Sequence, residues 1–287
     1  MPRRQRRGTS AAAANWSAQA AAAMTYVLGT HSAELQRLGR QHRFWRQECR
    51  SGLQRAGFGP GDRLLDLGCG PGFCSLELAE LVGPSGQVLG LDLSPNYIEH
   101  LQQLAHQQNL SQLRGIATDL AQPQQLPEAG HWDGAWCRWL WMFLPRLEPL
   151  LDGLGSALRP GGRLVLQEYI RWDSFSLRPG GSALAEFVAT CIRHWRNQGG
   201  DPDVASRLPE LLSQRGWRLV SCRSLLDCST SSEAKALWLQ DFLSSYPQQL
   251  QQLGLWSDQQ QQRLEAEQAS AMLWMTPTLV EQIWERP

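Results

Sequence analysis

Between residues 63 and 167 the chain alternates short apolar runs with longer segments whose apolar residues recur every three or four positions. The short runs have the length of buried strands and the periodic segments that of amphipathic helices, the pattern of a parallel sheet covered on both faces. Arg63-Leu64-Leu65-Asp66-Leu67-Gly68-Cys69-Gly70-Pro71-Gly72 predicts a strand that stops in a glycine-rich turn and opens a helix from Phe73 to Leu81. A second strand, Gln87 to Leu91, ends at Asp92, and Ser94-Pro95 starts a helix with Ile98, Leu101 and Leu104 on its inner face. Further strands are predicted near Gly115 to Thr118, ending at Asp119, and from Gly134 to Cys137. Leu147, Leu150, Leu151, Leu154 and Leu158 share one helical face, after which Pro160-Gly161-Gly162 predicts a tight turn into a strand from Arg163 to Gln167.

Upstream, Ser32 caps a predicted helix reaching about Ala56, with Glu34 favouring its dipole and Leu35, Leu38, Trp45, Cys49 and Leu53 as its buried stripe. Two later segments read as insertions. The first, about 171–200, carries an amphipathic helix on Leu184, Phe187, Val188, Cys191, Ile192 and Trp195, stopped by Gly199-Gly200. The second, about 231–270, is helical and rich in glutamine. Between them lie a predicted helix from Val204 to Arg215 and a strand from Trp217 to Ser221; Thr278 to Glu285 reads as the last strand. Both insertions are expected to form a helical lid over the C-terminal strand ends, where open α/β sheets bind ligands. The organisation is thus a disordered tail over 1–22 and one α/β domain over 23–287, with a helical cover over about 23–58.

The turn after residue 67 carries the chemistry. A strand, a glycine turn, a helix and then an acidic residue ending the next strand build a nucleoside-binding crevice. A Walker-type phosphate loop needs Lys followed by Ser or Thr, which is missing here. A dinucleotide fingerprint needs Gly or Ala three places after its second glycine, where Phe73 stands. That argues against a nicotinamide dehydrogenase. A Gly-x-Gly-x-Gly turn preceded by Asp66 suits a cofactor with a ribose and no phosphate.

Five ordered segments, Leu64–Gly72, Leu89–Asp92, Ala117–Leu120, Trp132–Arg138 and Leu158–Glu168, resemble the class I S-adenosylmethionine-dependent methyltransferases. The resemblance runs from about residue 25 to the C-terminus and is to the small-molecule branch that includes quinone-biosynthesis methyltransferases. It implies a Rossmann-like three-layer sandwich on a seven-stranded, mostly parallel sheet whose last strand runs antiparallel between its neighbours. The implied cofactor is S-adenosyl-L-methionine and the implied partner a small, apolar or aromatic methyl acceptor. An assembly or regulatory protein that binds the cofactor without transferring a methyl is the competing reading.

On that resemblance Gly68, Cys69 and Gly70 bring backbone up to the methionine part, and Asp66 favours its ammonium and sulfonium charges. Asp92 has two carboxylate oxygens for two ribose hydroxyls, and Leu93 lies against the adenine face. Asp119 accepts from the exocyclic amine, and the Leu120 amide faces a ring nitrogen. Arg138 either touches the cofactor or serves as a structural ion-pair partner. Tyr26 and Gln41 lie in a segment similar to a cofactor-covering N-terminal helix. Trp139, Tyr169 and Trp172 are candidates to line the substrate site, beside Trp141, Met142 and Phe143. The fourth strand continues Cys137-Arg138-Trp139-Leu140, unlike the Asn/Asp-Pro-Pro-aromatic sequence of enzymes that methylate exocyclic amines of bases. His194 and Glu168 are possible bases by residue type, with His194 read as a surface residue. No catalytic base and no metal ligand is assigned.

Composition narrows the partners further. In 287 residues, 27 basic and 27 acidic side chains cancel, which disfavours nucleic acid, whose binders carry an electropositive face. No apolar run approaches a membrane span. Seven cysteines without a Cys-x-x-Cys pair read as reduced thiols of a cytoplasmic protein, with Cys137 a packing residue. Thirteen tryptophans predict an aromatic interior or the wall of an apolar ligand site.

Overall fold

The computed structural model describes residues 32–122 and 126–287; the predicted tail and Tyr26 lie outside the described residues. Helix α1 (Ser32–Arg55) precedes strand β1 (Arg63–Leu67), α2 (Phe73–Val82), β2 (Gln87–Asp92), α3 (Pro95–Gln107), β3 (Leu113–Ala117) and β4 (Trp132–Arg138). Then come α4 (Glu148–Ala157), β5 (Leu158–Arg171), β6 (Ser176–Arg178), α5 (Ser182–Asn197), α6 (Leu208–Gln214) and β7 (Arg218–Ser224). The chain closes with β8 (Cys228–Thr230), α7 (Ala234–Gln252), α8 (Asp258–Ser270), β9 (Leu273–Met275) and β10 (Thr278–Glu285).

Seven strands form one sheet in the order β3-β2-β1-β4-β5-β10-β7. β1 pairs parallel with β2 and β4, whereas β10 runs antiparallel to both β5 and β7. The order reverses between β1 and β4, so the strand ends there open a crevice at the switch point. Alternation along each strand feeds two apolar layers. Leu65, Leu67, Ala135 and Cys137 point into one, and Leu64 and Trp136 into the other, against Cys49 and Leu53 of α1.

Three local expectations change. The Pro160-Gly161-Gly162 turn is a bulge within β5: the pairing jumps from Trp132↔Leu158 to Gly134↔Arg163, so residues 159–162 stand opposite Asp133 alone. The single helix expected from Val204 to Arg215 is a 3₁₀ turn, Val204–Ser206, followed by α6. Pro209 sits in the first turn of α6, where it suits a helix start but cannot continue an earlier one. The inserted segments are also not wholly helical. β6, β9 and β8 form a small antiparallel sheet, too short in each strand for a period-2 pattern to show.

Candidate functional site

At the end of β1 the backbone turns through Gly68, with φ 64°, and reaches Gly72, with φ 92°, before α2 begins. The Gly68 and Cys69 amides donate to the Leu91 carbonyl at 2.8 and 3.0 Å, tying the bend to β2. A Cβ at Gly68 would meet the Leu140 side chain at 3.0 Å, so both the conformation and the close approach require glycine.

Asp92, 3% exposed, closes β2. Its Oδ2 accepts from the Gly70 amide and its Oδ1 from the Ser94 amide, each at 2.9 Å. Each oxygen has a second lone pair, so the carboxylate can take two further donors. Burial raises its pKa, opposed chiefly by the hydrogen bonds from the Ser94 and Gly70 amides. Asp66 lies deeper and accepts from Ser75 Oγ at 2.6 Å. Desolvation, followed by the neighbouring Cys74 charge, pushes it up to about 8.

These groups line a cavity of about 290 Å³. On its crevice side stand Asp66, Gly68, Cys69, Gly70, Asp92, Leu93, Asp119 and Leu120. Leu93 is 43% exposed there, an open apolar face beside the carboxylate. The Asp119 carboxylate accepts from the Ala121 amide at 2.9 Å. Gln41, Arg138, Trp139, Tyr169 and Trp172 belong to the same lining. The predicted cofactor residues within the described residues, with Trp139, Tyr169 and Trp172, therefore meet at one cavity.

Arg138 is the clearest decision between earlier alternatives. Its guanidinium donates to the Trp45 carbonyl at 3.2 Å and to Cys74 Sγ at 3.0 Å, and lies 5.0 Å from the Trp139 ring centroid. It thus has structural partners while still facing the cavity, but no carboxylate partner among the described contacts. The Trp139 ring stacks on Trp238 at 5.5 Å and on Tyr169 at 6.0 Å. Trp141 is wholly buried and packs in the core, whereas Met142 and Phe143 reach the cavity.

Neither possible base lines the cavity. Glu168 is fully buried, and its Oε1 accepts from the Leu140 and Trp141 amides at 2.7 and 2.9 Å. Burial pushes it up to about 8, so it is largely protonated at neutral pH. His194 is not on the surface, as expected from its charged neighbour Arg193, but 8% exposed with Nδ1 2.8 Å from the Tyr246 hydroxyl. The amphipathic face of α5 turns it inward beside Cys191 and Trp195. Burial lowers its pKa.

Sequence reasoning missed much of α1 and α7. Glu34, Arg37, Leu38, Gln41 and His42 line one face of α1, and Trp238, Leu239 and Phe242 one face of α7. Arg37 is 7% exposed, paired with Glu34 at 2.7 Å, and donates to Gln41 Oε1 at 2.9 Å, which also accepts from Trp238 Nε1 at 3.1 Å. The signal was present: polar residues at i, i+3, i+7 and i+8 share a helix face with Trp45.

Residues 59–199 match the family model of a methyltransferase domain. The chain is 30% identical over 158 residues to a 2-phytyl-1,4-naphtoquinone methyltransferase of Synechococcus elongatus, an alignment covering 54% of this chain and 61% of that relative. It is 34% identical over 133 residues to a demethylmenaquinone methyltransferase of Lactococcus lactis, covering 45% and 49%. The chain therefore spans about half to three-fifths of these curated relatives' lengths. The fold is also that of geranyl diphosphate C-methyltransferase from Streptomyces coelicolor, with a TM-score of 0.56 and 14% identity over 91% of this chain and 87% of that one. Residues 59–199 therefore resemble a methyltransferase domain, on a Rossmann-like fold with an antiparallel strand between two parallel neighbours.

Proposed function

We propose that this protein transfers the methyl group of S-adenosyl-L-methionine to a small apolar or aromatic metabolite. The observation that carries the reading is the Asp92 carboxylate. It is fixed by two backbone amides with a lone pair to spare on each oxygen, at the mouth of a cavity that continues into an aromatic wall. The residues fit the cofactor: Asp92 for the ribose, Leu93 for the adenine face, Asp119 and the Leu120 amide for the adenine edge, and the Gly68–Gly70 bend for the methionine part. Cys69 lies within that bend, and Gln41 and Arg138 face it from α1 and β4. S-adenosylmethionine supplies a methyl on a sulfonium, a leaving group that needs no further activation.

The chain's own contribution is then to hold donor and acceptor in line and to keep water out. Trp139, Tyr169 and Trp172 form the acceptor's wall, and the segments over 171–200 and 231–270 form the lid, with Trp195 and Trp238 turned inward. The relatives' names, a 2-phytyl-1,4-naphtoquinone and a demethylmenaquinone methyltransferase, support an apolar acceptor. The balanced charge supports a small molecule over nucleic acid. Among the described residues no helix is long and apolar enough to cross a membrane, and the free cysteines support a cytoplasmic location.

The test is incubation with labelled methyl donor and a metabolite extract. Label transferred to a small apolar product is expected; cofactor binding without any transfer would leave a binding protein instead. S-adenosylhomocysteine should raise the melting temperature and NADH should not.

A further inference from the structure

Beside the glycine bend lies a pair of thiols, flanked by cations, to which the proposed methyl transfer gives no role. Cys74, in the first turn of α2, lines the cavity and is only half-buried. Its sulfur accepts from the Arg138 guanidinium at 3.0 Å and lies 3.7 Å from His42 Nδ1. His42 Nε2 is in turn 3.3 Å from Glu77 Oε1, which also accepts from Arg46, while Glu77 Oε2 accepts from Arg50. On the far side lies Cys49 of α1, fully buried and beside Cys74. We infer that Cys74 is a modification site: a thiolate open to hydroperoxides and soft electrophiles through the cavity, with Cys49 as its resolving thiol.

A guanidinium and an imidazole converge on one sulfur, with a second thiol beside it. Such surroundings favour the thiolate, the nucleophilic form. The Cys49 thiol holds Cys74 well below the ordinary thiol range, with Arg138 and His42 adding to it against the opposing effect of burial. Cys49 is raised by the same contact. Burial pulls His42 down, but its bonds to Cys74 and Glu77 carry it above its ordinary value against the nearby Arg138 charge, which favours its protonated form beside the sulfur. The opposing group is Asp66, pushed up to about 8 chiefly by desolvation, which lessens its repulsion of the sulfur near neutral pH.

The chemistry balances with a hydroperoxide as the named oxidant. The Cys74 thiolate attacks the outer oxygen and the O–O bond breaks. The departing oxygen takes a proton from His42 and leaves as water or an alcohol. Cys74 is then a sulfenic acid, and the peroxide has been reduced. Cys49, giving up its proton, attacks the oxidised sulfur, and the S–O bond breaks with loss of water, leaving a disulfide between α1 and α2.

The experiment needs neither cofactor nor acceptor, so it stands or falls separately from methyl transfer. The full chain is alkylated with iodoacetamide at about pH 6 and mapped by peptide mass spectrometry, with the exposed Cys222 and Cys228 as internal standards. Cys74 should react on the order of tenfold faster than either. Hydrogen peroxide should join the Cys49 and Cys74 peptides, and in Cys49→Ala a 1,3-dione should trap a sulfenic acid at Cys74. Equal rates at Cys74, Cys222 and Cys228, or oxidation of the wild type without the crosslinked peptide, would overturn the assignment.

Discussion

The Gly70 amide donates to Asp92 Oδ2 at 2.9 Å, joining the bend after β1 to the end of β2 across 22 residues of chain. The contact makes Asp92 both a proposed ribose ligand and a structural acceptor, since Ser94 uses its other oxygen. Asp92→Ala should cost about 1–3 kcal/mol of stability through two buried amides left without an acceptor. It should also lower affinity for S-adenosylhomocysteine at least about tenfold, a charged hydrogen bond being worth roughly 1.5–3 kcal/mol. Asp92→Asn should not rescue binding, because its amide nitrogen would face either the Gly70 or the Ser94 N–H. Isothermal calorimetry at a temperature where each variant is folded checks both; unchanged affinity would misplace the ribose.

Asp66 and Glu168 are buried carboxyls, each pushed up to about 8, mainly by desolvation. In the unfolded chain such groups titrate near pH 4. Between about pH 4 and 8 the folded state therefore holds protons that the unfolded state has lost, and stability from this source falls as pH rises through the window. Glu77 acts in the opposite sense. Burial opposes its ionisation, but His42, Arg50 and Arg46 bring it down to about 2, so its contribution is present above about 4 and lost in stronger acid. Melting temperature should decline from about pH 6 to about pH 8.5. Cofactor binding, which places a cation near Asp66, should release a proton near neutrality, seen as a dependence of the calorimetric heat on the buffer's ionisation enthalpy.

The sheet and the crevice were legible in the sequence because their signals are local. A strand, a glycine turn and an acidic strand end lie within 30 residues, and the buried runs of a parallel sheet stand out against polar helix faces. The rest depended on distant packing. Trp139 shows this best: its φ is 55°, rare for a large side chain, and its amide reaches the Gln167 carbonyl at 3.2 Å. No residue beside Trp139 announces that conformation, which places the indole against Trp238 from another part of the chain. His194 was misread for the same reason, since Tyr246, its partner, is 52 positions away.

Gly72 should be the least replaceable glycine of the bend. Its φ is 92°, and an added Cβ would stand 2.8 Å from Leu101 Cγ and 2.9 Å from Leu101 Cβ. Relieving that overlap means shifting α3 or opening the turn, in addition to the strained backbone. Gly72→Ala should lose about 2–4 kcal/mol, combining strain of roughly 1–3 with overpacking of similar size. Gly83→Ala is the control: its φ is also positive, at 65°, but nothing lies within 4 Å of the added carbon. Denaturant unfolding of the two should separate conformational strain from overlap, and equal losses would refute the packing argument.

Glu168 offers the sharpest separation of structure from catalysis. Its Oε1 holds the Leu140 and Trp141 amides, its Oε2 has no partner, and its proton stays on to about pH 8. A carboxyl that is already protonated cannot serve as a base at neutral pH, and the cavity does not reach it. Glu168→Gln keeps an oxygen for both amides and puts an NH₂ where an unpartnered hydroxyl stood, so methyl transfer should persist and stability at neutral pH should equal or exceed the wild type's, since the folded state no longer has to hold a proton there. The same substitution removes one titrating group, so the decline of stability toward pH 8 should become shallower. Glu168→Leu, which strands both amides, should cost about 2–4 kcal/mol in mild acid, two unmet buried donors at roughly 1–3 each, partly offset by the apolar replacement, and less as pH rises because it removes the same titrating group. Loss of turnover in a stably folded Glu168→Gln protein would return Glu168 to the reaction.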